Sequence, residues 1–151
     1  MKACAAVLTA TLFGAAALAS DERPNLTGVW KHAESSSTTM NNIEHQDPNL
    51  KVTFTTQFSL RTLSGGGSGA ESYTIDGVER TSKASNGRES WTTVYWQGPT
   101  LVILRVVKDG YRVTVTRETW TLSPDGLTLT KSRRTINMDG VTENAQVFHK
   151  Q

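Results

Sequence analysis

The sequence has little of the chemistry that most enzymes use. Its only cysteine, Cys4, lies at the very start of the chain, so the rest of the chain has no thiol for a disulfide, a metal or a nucleophile. No His-Glu-x-x-His or Gly-x-Ser-x-Gly segment occurs, and His32, His45 and His149 follow no metal-ligand spacing. We therefore predict no catalytic residue, no metal site and no cofactor, and we expect that the protein is not an enzyme.

The sequence also lacks a concentration of charge. The 16 Lys and Arg residues nearly balance 14 Asp and Glu residues, for a formal net charge of +2. The basic residues are scattered, and Arg133-Arg134 is the single adjacent pair. A nucleic-acid-binding domain has a clustered basic patch. We predict no nucleic-acid partner.

Long apolar runs are absent except at the N-terminus. There, Lys2 precedes the apolar run 5–18, and Ala17-Leu18-Ala19 has the small-x-small pattern of a cleavage site. The run is too short for a comfortable membrane span. Residues 1–20 are therefore predicted to be a cleaved signal peptide of bacterial type, followed by a single domain, 21–151. We expect export to the periplasm or the extracellular medium.

The remaining sequence has no sustained helical stripe of apolar residues, but it is rich in turn signals. Runs of Val, Thr, Tyr, Trp and Leu lie between these turns, which is typical of antiparallel strands. The turn signals are Asp76-Gly77, Asn86-Gly87, 97–100, Asp109-Gly110, 123–126 and Asp139-Gly140. This pattern predicts an all-β meander of eight or nine strands. The polar segment 34–49 is predicted to be a long first loop and the Gly-rich segment 63–70 a flexible connector.

Hairpin arithmetic suggests a core. A four-residue loop at 123–126 places Leu122 opposite Leu127, and the turn at Asp109-Gly110 places Val106 opposite Val113. In this register both strands of the 111–138 hairpin switch their apolar face near Glu118, through a strong twist or a bulge in each strand. The core predicted from this pairing consists of Leu104, Val106, Tyr111, Val113, Val115, Ile136 and Met138.

Two sequence resemblances bear on the fold. Gly28-Val29-Trp30 resembles the Gly-x-Trp of the calycins, the superfamily of lipocalins, fatty-acid-binding proteins and avidins, in which the Trp closes one end of the barrel. Segments 96–103, 120–129 and 147–150 resemble a pattern in uncharacterised secreted bacterial proteins, which brings no known activity. The resemblance implies an antiparallel up-and-down meander closing into an 8–9-stranded lipocalin-like barrel. Trp91 and Trp96 fall on opposite faces, which differs from avidins, so we predict no biotin site.

The predicted function is that of an exported small β-barrel that binds a small apolar or amphipathic ligand in its interior. The candidate ligand-binding residues are Trp30, Phe54, Trp96, Leu104, Val113 and Val115. The ordinary interpretation of the tryptophans is that they are core residues or barrel-end plugs. The alternative function is a secreted interaction module, either a hydrolase inhibitor or an envelope partner, with exposed aromatic residues near Trp91, Tyr95 or Tyr73 and a closed interior. A structural envelope protein without a ligand is the third possibility.

Overall fold

The computed structural model of the chain describes residues 23–33, 37–60 and 63–151. The predicted signal peptide lies outside these ranges. The regular elements are strands: β1 (Gly28–His32), β2 (Ser37–Gln46), β3 (Asn49–Leu60), β4 (Leu63–Thr74), β5 (Arg80–Lys83), β6 (Glu89–Gln97), β7 (Thr100–Asp109), β8 (Arg112–Leu122), β9 (Thr128–Asn137) and β10 (Gly140–Lys150). Within the described ranges, no helix has the length and hydropathy needed to cross a bilayer.

The strands form one antiparallel sheet whose order is β4-β3-β2-β1-β10-β9-β8-β7-β6-β5. The first strand, β1, and the last strand, β10, are neighbours, with Trp30 opposite Lys150. The edge strands β4 and β5 are not hydrogen-bonded to each other in this sheet. The sheet nevertheless curls. Its curvature brings β7 near β4, since the Arg105 guanidinium lies 3.4 Å from the Glu71 carboxylate. The all-β up-and-down prediction is confirmed, and a gap lies between the two edge strands.

The predicted turns are confirmed. A glycine with positive φ occurs in or directly after each of the six turn signals, for example at 72° in Gly77 and 59° in Gly110. Such angles favour glycine because other residues place a Cβ against the backbone there. Turn chemistry therefore determines where most of the strands end.

The two segments predicted as loops are strands, so that prediction is wrong, and the described sheet has ten strands where eight or nine were predicted. The polar segment forms β2, which pairs with both β1 and β3. The Gly-rich segment forms part of β4, where the rings of Phe54 and Phe58 on β3 lie directly over Gly69 and Gly65. A Cβ at either glycine would collide with the ring. The neighbouring aromatic rings therefore cover a strand that has few side chains of its own.

The predicted hairpin registers are wrong by two residues. Leu122 lies opposite Leu129. The connection between the two strands is longer than the predicted four-residue loop, because Ser123 N donates to Thr128 O at 2.8 Å. Val106 lies opposite Val115, because Gly110 and Tyr111 form the turn between β7 and β8. Because the shift is an even number of residues, it does not change the face on which each residue lies. This register error changes only which residues pair.

The core lies on one face of the curled sheet, near the end at which Trp30 is buried. It is almost fully buried and consists of Leu26, Trp30, Ile43, Leu50, Val52, Ile75, Val94, Leu101, Ile103, Trp120, Leu129 and Phe148. We call this the inward face. Alternation along each strand then assigns the remaining side chains to the inward or the outward face.

The core predicted from hairpin pairing lies on the outward face instead, which is a correction. Tyr111, Val113, Val115, Ile136 and Met138 are 80%, 44%, 38%, 43% and 71% exposed, respectively. The pairing of β8 with β9 runs in one register from Leu122 to Val115, with no bulge and no switch of face. Each strand keeps the same face toward the interior along its whole paired length. What changes along the strand is whether the residues on that face are apolar or polar.

The outward apolar residues form a row that crosses β6 to β10, which we call the outer band. Each member lies directly opposite the next: Trp91, Val106, Val115, Ile136 and Val141. Leu104 shares this face, because its neighbours Ile103 and Arg105 point inward. Directly paired apolar side chains on a solvated sheet face stabilise the strands through contact with one another.

The two faces of β9 provide a matched pair for mutation. Leu129 is fully buried, whereas Ile136 is 43% exposed. Leu129→Ala is expected to lower the free energy of unfolding by about 2–5 kcal/mol, because a buried cavity is left behind. Ile136→Ala is expected to cost about 1 kcal/mol, which reflects strand propensity and cross-strand contact. Urea unfolding followed by tryptophan fluorescence measures both values, and a larger loss at Ile136 would contradict the assignment of faces.

Candidate functional site

Trp30 closes one end of the curled sheet. Its side chain is fully buried, and its indole Nε1 donates to the carbonyl oxygen of Leu26 at 3.0 Å. Leu26 is also fully buried, so the segment before β1 packs beneath the sheet. Trp30 is therefore a fully buried core residue next to the segment that precedes β1.

A hydrogen-bonded group around His45 fastens this end. Leu26 N donates to His45 Nδ1 at 3.2 Å, so Nε2 carries the ring proton and donates to Asp47 Oδ1 at 2.9 Å. Trp96 Nε1 donates to the same oxygen at 3.3 Å. Burial works against the charge of Asp47, but the hydrogen bonds from His45 and Trp96 outweigh it and lower the pKa of the carboxyl. The group links the segment before β1, the β2–β3 turn and β6.

An interior cavity of about 260 Å³ lies on the inward face, further along the strands from Trp30. Side chains from β4, β7, β8 and β9 line it, among them Glu71, Ile103, Arg105, Glu118 and Arg133. A second cavity of about 510 Å³ lies between β4 and β5 and shares Glu71 and Arg105 with the first. The gap between the edge strands therefore connects the interior to the outside.

Three side chains form the first polar group of the cavity. Arg105 contacts Glu71 Oε1 at 3.4 Å through both terminal nitrogens and donates to Tyr73 Oη at 3.1 Å. Tyr73 in turn donates to Glu71. Burial and the Glu71 carboxylate raise the pKa of the Tyr73 hydroxyl, which keeps it protonated. Burial opposes the charge of Arg105, but the Tyr73 and Glu71 oxygens offset this and raise the pKa of Arg105.

A second polar group lies on β8 and β9. The Glu118 carboxylate is 13% exposed and accepts a hydrogen bond from Arg133 Nε at 2.7 Å. Trp120 Nε1 also donates to Glu118. Both carboxylates of the cavity, Glu71 and Glu118, are thus already paired with an arginine.

Lys131 is the deepest cation of this region and has no such partner. The residue is 8% exposed, and its Nζ lies 3.8 Å from the ring centre of Trp120 and 5.0 Å from that of Phe148. None of the ion pairs among the described residues involves Lys131. Burial lowers the pKa of Lys131 to about 8, although Glu118 and Glu71 act in the opposite direction.

The predicted ligand-binding residues are divided between the two faces. Trp30, Phe54 and Trp96 share the inward face, and the Phe54 ring is 38% exposed. Leu104, Val113 and Val115 lie outward, so their predicted place in the interior is wrong. The reason is that β7 is apolar on both faces, and the hairpin pairing selected the outward one. The charged residues of the cavity were not predicted. The available signal was that Arg105 and Glu118 each lie two residues from a large apolar residue, Ile103 and Trp120, and therefore share its face.

The aromatic residues expected to form an exposed cluster in an interaction module are divided between the two faces: Trp91 and Tyr95 lie half-buried on the outward face of β6. Tyr73 lies in the interior and binds Arg105 and Glu71. Trp91 and Trp96 do lie on opposite faces, with Trp91 in the outer band opposite Val106. The interior is also not closed, because the cavity adjoins the gap between β4 and β5.

The histidines do not converge on a metal site. His32 packs edge-on against Phe148 with ring centres 5.1 Å apart, while His149 follows Phe148 and so alternates to the other face. Across residues 23–33, 37–60 and 63–151, no group of three or more His, Cys, Asp or Glu side chains could hold a metal ion.

The fold is similar to that of several solved proteins. A structure described as "REP1-NXSQ fatty acid transporter" superposes with a TM-score of 0.51 at 14% identity, covering 83% of this chain and 96% of that chain. Secretory abundant heat soluble protein 4 from Ramazzottius varieornatus also gives 0.51, at 12% identity, covering 83% and 94%. No family model and no curated protein matches the sequence. At these identities the likeness shows a shared fold.

Proposed function

We propose that this protein is exported and binds a small amphipathic molecule with an anionic head in the interior of its curled sheet. The observation that supports this proposal most directly is the cavity beside Arg105. Its walls are polar and charged, whereas a packed core would leave no such cavity. Ligand sites combine a concave apolar wall with a few polar groups that fix orientation. The similar fold of a protein described as a fatty acid transporter supports this proposal.

The charge of the cavity favours an anionic head. The described cavity walls carry three arginines, Arg88, Arg105 and Arg133, against two glutamates, Glu71 and Glu118. Two of the arginines are paired with the glutamates, and Lys131 adds a further buried cation behind them. A carboxylate, sulfate or phosphate head would offset this excess positive charge and could accept charge-assisted hydrogen bonds.

The apolar walls provide room for a short tail. Ile103 and Val107 line the cavity beside Arg105. Beyond Val52 on the inward face of β3, Phe54 and Phe58 expose 38% and 39% of their surface. A tail that crossed these rings would bury apolar surface, which contributes roughly 25 cal/mol per Å². The gap between β4 and β5 offers a route of entry.

The direct experiment expresses the full chain with its own N-terminus and examines the exported protein by native mass spectrometry. We expect cleavage near Ala19 or Ser20, recovery from the periplasm or the medium, and a fraction of molecules that carry one small anionic amphipath. Denaturing spectra of the same sample should show the bare chain mass. A protein that stays in the cytoplasm contradicts the proposed export. A bare chain in every preparation, with no uptake of added dodecanoate, contradicts the binding function.

A further inference from the structure

Lys131 has features that the proposed carrier function does not require. It is a buried cation without a carboxylate partner among the described residues, and its Nζ lies against the face of the Trp120 ring. Its neighbours on the inward face, Glu118 across the strand pair and Arg133 two residues along, both line the cavity. A buried lysine held only by aromatic rings is well suited to react as an amine.

We propose that Lys131 captures an apolar aldehyde as a covalent imine. This inference rests on the proposed function only in that an apolar ligand must enter the cavity that the neighbouring Glu118 and Arg133 line. The nitrogen lone pair of the neutral amine attacks the carbonyl carbon and forms a carbinolamine. Loss of one water, made from the carbonyl oxygen and the two amine protons, then leaves the C=N bond. No oxidant, reductant or metal takes part.

The surroundings favour both formation and retention of the imine. An ordinary lysine has a pKa near 10.5, whereas burial lowers the pKa of Lys131 to about 8, so about half of the side chains are neutral at pH 8. The opposing charges are Glu118 on β8 and Glu71 on β4, and Arg133 on β9 acts in the same direction as burial. The Trp120 and Phe148 rings exclude water from one side of Nζ, which slows hydrolysis of the imine.

Reductive trapping tests the proposal. The folded protein is incubated with decanal and cyanoborohydride at pH 7.5, and the adducts are counted by intact mass and located by peptide mapping. Lys131 is expected to react at least tenfold faster than the exposed Lys108. Between pH 7 and 9 the rate at Lys131 should rise and level off, whereas the rate at Lys108 should continue to rise toward pH 10. Lys131→Arg should lose the rapid adduct, and Lys108→Arg should keep it.

Two results would overturn the proposal: equal reaction at Lys131 and Lys108 in the unmodified sequence, or an unchanged rapid adduct in Lys131→Arg. Mapping on the unmodified sequence keeps the test valid even if the variant folds poorly. Dodecanoate binding is measured on the same samples. Binding without a selective adduct contradicts the covalent proposal alone, while loss of both contradicts the proposed function as well.

Discussion

Trp30→Ala is expected to lower the free energy of unfolding by about 3–5 kcal/mol, among the largest effects of any single substitution in this chain. The ring is fully buried at the closed end and packs with Leu26 and the rest of the core. Its removal leaves a cavity and also leaves the buried Leu26 carbonyl without the hydrogen bond from Trp30 Nε1. Both losses act on the same end of the sheet.

Trp91→Ala is the matched control, because Trp91 is a half-buried tryptophan on the outward face opposite Val106. We expect it to cost about 1 kcal/mol, as for a cross-strand contact at a solvated face. Urea denaturation followed by far-UV circular dichroism measures both variants. Equal losses for the two substitutions would show that Trp30 is not the central residue of the closed end.

Arg105→Met is expected to weaken the binding of dodecanoate about 10- to 100-fold. The methionine keeps much of the side-chain volume but removes the guanidinium that faces Tyr73 and Glu71. A hydrogen bond to a charged group contributes about 1.5–3 kcal/mol, which corresponds to this change in Kd. The variant also leaves the Glu71 carboxylate without its arginine, so its charge would repel an anionic head.

Arg117→Met is the control for Arg105→Met, because Arg117 lies directly opposite Leu104 on the outward face. It removes the same charge without touching the cavity. Isothermal titration at low salt compares the two variants with the unmodified sequence, and dodecanol serves as the uncharged ligand. A similar loss of dodecanoate affinity in both variants would mean that net charge governs binding, and would contradict a head site at Arg105.

Local chemistry allowed much of the fold to be predicted. The Gly-containing turns ended strands where expected, and the Gly-x-Trp segment lies in the first strand, with Trp30 fully buried. Strand β4 could not be predicted from its own residues, because what covers it is the rings of Phe54 and Phe58 from another strand. Strand propensity considers only the glycines of this segment. In the folded protein, the aromatic side chains of the paired strand β3 cover them.

The choice of face was the decisive error for the site. Along β8, one face carries Trp120 near the closed end and Thr116 at the cavity, while the other carries Val115 in the outer band. The interior thus changes from apolar to charged along the strand as the exterior changes from polar to apolar. In the sequence alone, this change of residue type along one face looks like a switch of the apolar residues from one face to the other. The buried Trp120 and Leu129 were the residues that could have fixed the correct parity.

Two neighbouring residues of β8 provide the most direct test of the claim that the interior is a binding site. Thr116 lines the cavity, and Val115 beside it lies in the outer band. Thr116→Trp fills the cavity, whereas Val115→Trp adds the same side chain outside it. The measurement is the ratio of the dodecanoate Kd values of the two variants, taken by titration calorimetry once circular dichroism has shown that both are folded. An interior site predicts at least tenfold weaker binding by Thr116→Trp. Equal binding, or weaker binding by Val115→Trp, would contradict it.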